Sequence, residues 1–186
     1  MKAIVNVNES WGIGKDGALL VSIPEDMKFF RTVTKNAVVI MGRRTLESFP
    51  GHRPLKGRLN IVLSRDPEGV RSAAGGSSIK IEGQKGCELD EAGTRLLVLK
   101  SPEEVRALPA KLLQEAFVIG GAEIYREFLP DCSECLVTVN DSRREADTFF
   151  PNLNELSAWE RVQESGEQAY EGLRYRFTVY RRKAVK

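Results

Sequence analysis

Histidine and cysteine are scarce: the 186 residues hold one histidine, His52, and three cysteines, Cys87, Cys132 and Cys135. A zinc centre draws about four ligands of these kinds, so this chain is poorly stocked for one. Cys132-Ser-Glu-Cys135 has redox spacing but stands alone, and no metal or redox role is expected of it. His52 follows Pro50-Gly51 in a turn-like stretch and reads as a solvated loop residue. A dominant charge is also missing. The chain carries 28 Lys and Arg against 26 Asp and Glu, a net +2, too even to imply nucleic acid or membrane as partner. No apolar run approaches membrane-spanning length, and the opening Met-Lys-Ala-Ile-Val-Asn-Val is too short and strand-like for a secretory signal. Repeats and long linkers are lacking too. The expectation is a single cytoplasmic domain, a monomer, with a hydrophobic fraction of 41% and a charged fraction of 29%, ordinary for a globular core of this size.

What is present is an alternation of apolar runs and amphipathic segments. Strands are expected over 3–7, 37–41, 59–63, 96–99, 116–119 and 136–139, with helices over 23–35, 43–48 and 121–128. Ser101-Pro-Glu-Glu104 opens a further helix with a capping box. The tail, 159–162 and 170–180, alternates apolar and polar residues, as an antiparallel closing pair does. Residues 8–22 read as loop. Residues 66–95, with turn signals in Asp66-Pro-Glu-Gly and Ala73-Ala-Gly-Gly, read as a hairpin or surface excursion carrying little chemistry. The fold class expected is α/β: a mainly parallel central sheet, an antiparallel C-terminal edge, and helices on both faces. Ligands of such sheets sit at the carboxyl ends of the strands.

One acid stands out. Asp26, Phe30 and Val33 share a face of the helix that begins in Ser22-Ile-Pro-Glu-Asp-Met, since residues four and seven apart are neighbours. A lone carboxylate on an inward face is costly without a partner. Lys28 and Arg31 point elsewhere, so a ligand rich in hydrogen-bond donors is the natural one. The alternative is a solvated first-turn acid favouring the helix dipole. Ser22 and Glu25, with Pro24 between them, read as a capping box.

Other motifs fall at strand ends. Val118-Ile-Gly-Gly-Ala-Glu-Ile-Tyr125 runs from strand into helix, where adjacent glycines let a ligand approach the main chain and free N–H groups attract phosphate. Met41-Gly-Arg-Arg-Thr45 sets two arginines at a helix start, and Leu63-Ser-Arg-Asp66 adds Arg65. Three guanidiniums there suit a phosphate carried on a ribose, or form a solvated basic rim. Trp11-Gly-Ile-Gly-Lys-Asp-Gly-Ala has the composition of a mobile lid or of a plain connector. Arg58, before a strand, is placed to clamp a carboxylate or to be solvated.

Taken in order, these segments resemble the dihydrofolate reductase family. The likeness rests on Gly12-Ile-Gly, Ile23-Pro-Glu-Asp-Met-Lys-Phe-Phe, Val39-Ile-Met-Gly-Arg-Arg-Thr-Leu-Glu-Ser48, Arg58-Leu-Asn-Ile-Val-Leu-Ser64, Val118-Ile-Gly-Gly-Ala-Glu-Ile-Tyr125, Phe128-Leu-Pro130 and Asp147-Thr-Phe-Phe-Pro151. It implies NADPH-dependent reduction of 7,8-dihydrofolate to tetrahydrofolate. Asp26 would accept hydrogen bonds from the pterin 2-amino group and N3 and help N5 become protonated, with hydride adding at C6. Thr138 would steady that acid. Met27 and Phe30 would pack on the ligand, and Ile4, Val5 and Ile119 would belong to the same substrate site. Arg58 would pair with the α-carboxylate of the glutamate tail, with Phe49, Arg53 and Leu55 lining that arm.

For the cofactor, Arg44, Thr45, Ser64 and Arg65 would hold the adenosine half, Arg65 near the 2′-phosphate. Gly42, Arg43, Leu63 and Lys100 belong to the same region. Gly120 and Gly121 would meet the pyrophosphate and nicotinamide ribose, followed by Ala122, Glu123 and Ile124, with Tyr125 beside the nicotinamide. Residues 12–18 would form a lid that includes Gly12, Ile13, Gly14 and Ala18, with Leu19 following. Two departures mark the chain: Leu19-Leu20-Val21 stands where Leu-Pro-Trp is usual, and Asn6, placed at the cofactor, replaces a small residue. A related pyrimidine reductase of riboflavin synthesis and a non-catalytic folate- or nucleotide-binding module are the competing readings. Asp26 together with Arg58 argues against the first.

Overall fold

A computed structural model describes residues 1–73 and 94–184. In chain order the first half contains β1 (Lys2–Asn8), β2 (Gly12–Lys15), β3 (Ala18–Leu19), α1 (Pro24–Val33), β4 (Val38–Gly42), α2 (Arg43–Glu47), β5 (Leu59–Leu63) and α3 (Pro67–Ala73). The second half contains β6 (Arg95–Leu99), α4 (Pro102–Arg106), α5 (Ala110–Gln114), β7 (Phe117–Gly120), α6 (Ala122–Phe128), β8 (Glu134–Asn140), β9 (Thr148–Phe149), β10 (Trp159–Glu164), β11 (Gln168–Tyr170) and β12 (Leu173–Arg182). The main sheet runs β10-β12-β8-β1-β7-β4-β5-β6, with β11 against β12. Strands β8, β1, β7, β4, β5 and β6 are mutually parallel, and β12 joins β8 antiparallel. This is the α/β arrangement the apolar runs imply.

Side chains alternate across a strand, and the two faces of the sheet are buried separately. Ala3, Val5 and Val7 enter one cluster with Val105 of α4 and Tyr125 and Phe128 of α6. Ile4, Val39, Met41 and Val62 enter the other, against Phe29, Phe30 and Val33 of α1 and Leu46 of α2. With both faces covered, central strands can be apolar throughout, as Leu59–Leu63 nearly is.

Three expectations need correction. Ser22 does not cap α1: the N-cap is Ile23, extended at φ −115 and ψ 120, with no side-chain cap bond. Pro24 explains this, since a residue before proline is pushed out of the helical region. Residues 8–22 are not simply loop. β2 and β3 close a hairpin over Asp16-Gly17, both at positive φ, the geometry of a type I′ turn, and β9 adds a third strand. Asp66-Pro-Glu-Gly does not turn a hairpin but starts α3, where the Asp66 carboxylate accepts from the Gly69 amide at 3.0 Å, and Val70 is buried. The remainder of the expected excursion, 74–93, lies outside the described residues, and Cys87 with it. At Ser101 the cap does form: its hydroxyl accepts from the Glu104 amide, while the Glu104 carboxylate accepts from Lys100 N rather than from Ser101.

Candidate active site

Parallel pairing brings strand ends level. Gly42 of β4 pairs with Leu63 of β5, and Leu63 with Leu99 of β6. Met41 pairs with Gly120 of β7. Arg43, Arg44, Ser64, Arg65 and Lys100 therefore follow one another along a single edge, beside the Gly120–Gly121 turn. Arg43 is bound to Glu47 at 2.6 Å, whereas Arg44 and Arg65 are exposed with no ion pair among the described residues. Ser64 is buried, and its hydroxyl is engaged by the Asp66 backbone on both sides, at 3.1 Å.

The glycines here are forced by close approach. A Cβ on Gly42 would stand 3.1 Å from Ile124 Cγ1, and one on Gly120 2.9 Å from the Tyr125 ring, at a φ of +109. A Cβ on Gly121 would lie 3.6 Å from Thr45 Oγ1. The β4–α2 and β7–α6 turns thus abut and present main chain rather than side chains. Tyr125 lies beneath them, its hydroxyl donating to Ile4 O at 2.7 Å; burial pushes that hydroxyl's pKa up. Ala122 is buried in the same cluster, and Glu123 is exposed.

Asp26 sits on the first turn of α1, partly buried against β1 and β8. Thr138 Oγ1 donates to its Oδ1 at 2.6 Å and Asn6 Nδ2 to its Oδ2 at 2.9 Å. Asn6 and Thr138 are register partners in the β1–β8 pair. Desolvation raises the carboxyl pKa, and these two hydrogen bonds pull against it. Its polar partners are neutral; no Lys or Arg pairs with it among the described residues.

Phe30, Phe49, Leu55 and Ile119 are partly buried and pack on the cluster containing Ile4, so five expected substrate contacts gather on the Asp26 face. Met27, the next residue on α1, is partly buried as well. Val5 is turned into the opposite cluster, leaving only its backbone on this side. Arg53 is exposed beyond a 3₁₀ turn, Pro50–His52.

Arg58 is held at the C-terminal end of α1. Its Nε donates to Thr34 Oγ1 at 3.0 Å, Nη1 to Lys56 O at 2.7 Å, and Nη2 to Arg31 O at 3.1 Å. A guanidinium has five N–H donors, so with three engaged two remain. Desolvation, and then the neighbouring Arg31, lower its pKa.

The hairpin of residues 12–19 is tied to 144–150. Asp147 Oδ2 accepts from Asp16 N at 2.8 Å, Asp147 N donates to Gly14 O at 3.1 Å, and Arg144 Nη1 donates to Leu20 O at 3.1 Å. Gly12 and Gly14 are buried, and a Cβ on Gly12 would run into Ala146. Packing therefore accounts for these two glycines. Ile13 is buried, Ala18 is exposed, and Leu19 is 65% exposed at the hairpin's rim. The two cysteines Cys132 and Cys135 are buried free thiols, Cys132 pushed up to about 12 by desolvation.

Three polar residues were not foreseen. Thr34 is fully buried and orients Arg58. Asn60, also fully buried, accepts from Leu55 N and donates to Leu55 O, Arg58 O and Arg95 O, pinning the segment that carries Arg58. Asn140 bonds to Asn6. Asn60 at least was legible, as an amide inside the apolar run Leu-Asn-Ile-Val-Leu, which only a full set of partners makes tolerable.

Comparison with known proteins shows what the whole chain is similar to. The dihydrofolate reductase family model matches residues 1–182. A bifunctional dihydrofolate reductase-thymidylate synthase of Daucus carota is 39% identical over 189 residues, covering 96% of this chain and 33% of that protein. The chain thus spans about a third of the length of the plant relatives it matches. A dihydrofolate reductase of Heliothis virescens is 31% identical over 187 residues, covering 94% of this chain and 92% of its own length. The solved structure of a dihydrofolate reductase from Enterococcus faecalis complexed with NADP(H) and RAB-propyl shares 30% identity at a TM-score of 0.75, over 98% of this chain and 96% of that one.

Proposed function

The chain belongs to the dihydrofolate reductase family, and we propose that it reduces 7,8-dihydrofolate to 5,6,7,8-tetrahydrofolate with NADPH. The observation that carries this reading is Asp26: an acid in a partly apolar cleft, gripped among the described residues by neutral donors alone, with acceptor capacity left over. Each carboxylate oxygen has about two acceptor positions, one taken by Asn6 or Thr138. The two remaining positions match the pterin 2-amino group and N3–H. Bound there, the carboxylate favours a cationic pterin, assisting protonation of N5 while hydride is added to C6.

Other residues divide the ligands between them. The two unengaged donors of Arg58 suit the α-carboxylate of the glutamate tail, and Phe30, Phe49 and Leu55 supply the apolar wall between that end and Asp26. Arg44, Thr45, Ser64 and Arg65 suit the adenosine half of the cofactor, with Arg65 near the 2′-phosphate, and neither Arg44 nor Arg65 has an ion pair among the described residues. The abutting turns around Gly42 and Gly120–Gly121, whose glycines are required by packing on Ile124 and Tyr125, suit a dinucleotide backbone because they stand at the carboxyl ends of β4 and β7. When bound, NADPH supplies the hydride. The 12–19 hairpin acts as lid, excluding water from that transfer.

We further propose one domain working as a cytoplasmic monomer on small molecules, with neither nucleic acid nor membrane as partner. The even charge supports this, and no helix among the described residues is long and apolar enough to cross a membrane. Turnover of dihydrofolate measured with NADPH and with NADH tests the activity. Oxidation of NADPH with a clear preference over NADH is expected; no turnover despite tight folate binding would turn the reading toward a binding module.

A further inference from the structure

Asn6 belongs to a chain of side-chain amides that starts from the backbone and ends on Asp26. Asn140 is 2% exposed. Its Nδ2 donates to Val7 O and to Asn6 Oδ1, both at 2.8 Å, and its Oδ1 accepts from Ser142 N at 3.0 Å. This leaves one possible orientation. Turned over, the amide would set its oxygen against Val7 O and its NH2 against the Ser142 N–H. Asn140 must therefore offer N–H to Asn6, so Asn6 must turn its oxygen toward Asn140 and its nitrogen toward Asp26. The carboxylate contact at 2.9 Å is thereby fixed as N–H to oxygen; a reversed Asn6 would set its oxygen against the carboxylate and its NH2 against the Asn140 NH2.

We propose that Asn6, locked by Asn140, is a positioning residue for Asp26, holding its carboxylate plane and supplying a dedicated donor to Oδ2. Its catalytic meaning rests on the function proposed above; the hydrogen-bond relay does not. Two donors from neighbouring strands, Asn6 to Oδ2 and Thr138 to Oδ1, keep the carboxylate from rotating, so its remaining acceptor positions face one direction. An N–H aimed at the anion also offsets part of the desolvation that favours the neutral acid. Among the described residues no ionised group shares that task. On α1, Glu25 and Lys28 are exposed. Tyr125 of α6 lies in the cluster on the other face of the sheet with its hydroxyl given to Ile4 O, and Tyr175 of β12 has its hydroxyl bonded to Gln168. From β1 and β8 come only the neutral Asn6, Asn140 and Thr138.

The test uses the full chain without ligands. The carboxyl ¹³C signal of Asp26 is titrated by NMR in the wild type, Asn6→Ala and Thr138→Val, the last as a yardstick for losing one donor. Loss of a donor to a charged group corresponds to about one pH unit, so Asn6→Ala should raise the Asp26 midpoint by about that much, as Thr138→Val does. A midpoint equal to the wild type in folded Asn6→Ala overturns the proposal. Should that variant not fold, the wild type decides: the Asn6 side-chain NH2 resonances must move with the Asp26 midpoint, and their indifference to it overturns the proposal equally.

The pH dependence of kcat/KM for dihydrofolate carries the inference into the reaction. Its ionisation should move up in Asn6→Ala by the shift seen in the free protein, and an unmoved profile removes the positioning role. A shifted carboxyl in a protein with no turnover of any kind would uphold the relay and sink the proposed activity instead.

Discussion

Asn6 and Thr138 stand opposite each other in the parallel β1–β8 pair and donate to different oxygens of Asp26, at 2.9 and 2.6 Å. They reach the acid across 20 and 112 residues of chain. A helix delivers the carboxylate and two strands set its angle, so neither element alone makes the site.

Asp26→Asn should reduce hydride transfer to dihydrofolate by about 10²–10⁴ at neutral pH, while NADPH still binds. Single-turnover absorbance and cofactor fluorescence read the two effects. The same variant should be at least as heat-stable as the wild type at pH 7. Burial raises the folded-state pKa of Asp26, so the carboxyl's contribution to stability is full below its ordinary unfolded value and declines as pH rises through the raised one. The variant's relative Tm should therefore rise over that window and level off above it. A wild type that gains on the variant as pH rises would contradict the sign.

Thr34→Val should weaken dihydrofolate through Arg58. The hydroxyl accepts from Arg58 Nε at 3.0 Å and donates to Phe30 O at 2.7 Å, and losing a hydrogen bond to a charged group costs about 1.5–3 kcal/mol. The expected outcome is a KM raised by about tenfold or more with kcat little changed. A pterin lacking the glutamate tail should show no such penalty; equal losses for both would detach Arg58 from the tail.

Arg65→Ala should raise KM for NADPH by about 10-fold to 100-fold and leave NADH nearly unchanged, since charge-assisted hydrogen bonds to phosphate are worth about 1.5–3 kcal/mol. Steady-state kinetics with both cofactors measures the ratio. Parallel losses would place the 2′-phosphate elsewhere.

Gly120→Ala should destabilise the fold and impair cofactor binding together. At φ +109 a new Cβ would lie 2.9 Å from Tyr125 Cε2, and a residue held in so sparse a region costs about 1–3 kcal/mol. The Tm should fall by several degrees and the affinity for NADPH with it. An unchanged Tm would show that the turn relaxes without cost.

Much of this architecture was readable in advance, and the unreadable parts have a common cause. Period-two and period-3.6 patterns report which face of an element is buried, so the six parallel strands, α1 and the antiparallel tail could be located from residue order. Asp26 could be singled out because an acid on an apolar helical face is expensive. The hairpin of 12–19 is local, turning at Asp16-Gly17, but its third strand, β9, lies more than a hundred residues away and no local pattern reports that pairing. Ser22 was misread because Pro24 moves the cap by one residue.

Patterning follows from burial, which acts on each residue by itself, so residue order alone sufficed for the sheet, its helical cover and the presence of one costly acid. Hydrogen bonds between side chains depend instead on distance and direction, and these exist only once strands pair in register. Folding therefore decided that Asn6 faces Asp26 with its nitrogen, that Thr34 holds Arg58, and that Arg44 and Arg65 meet no ion-pair partner among the described residues.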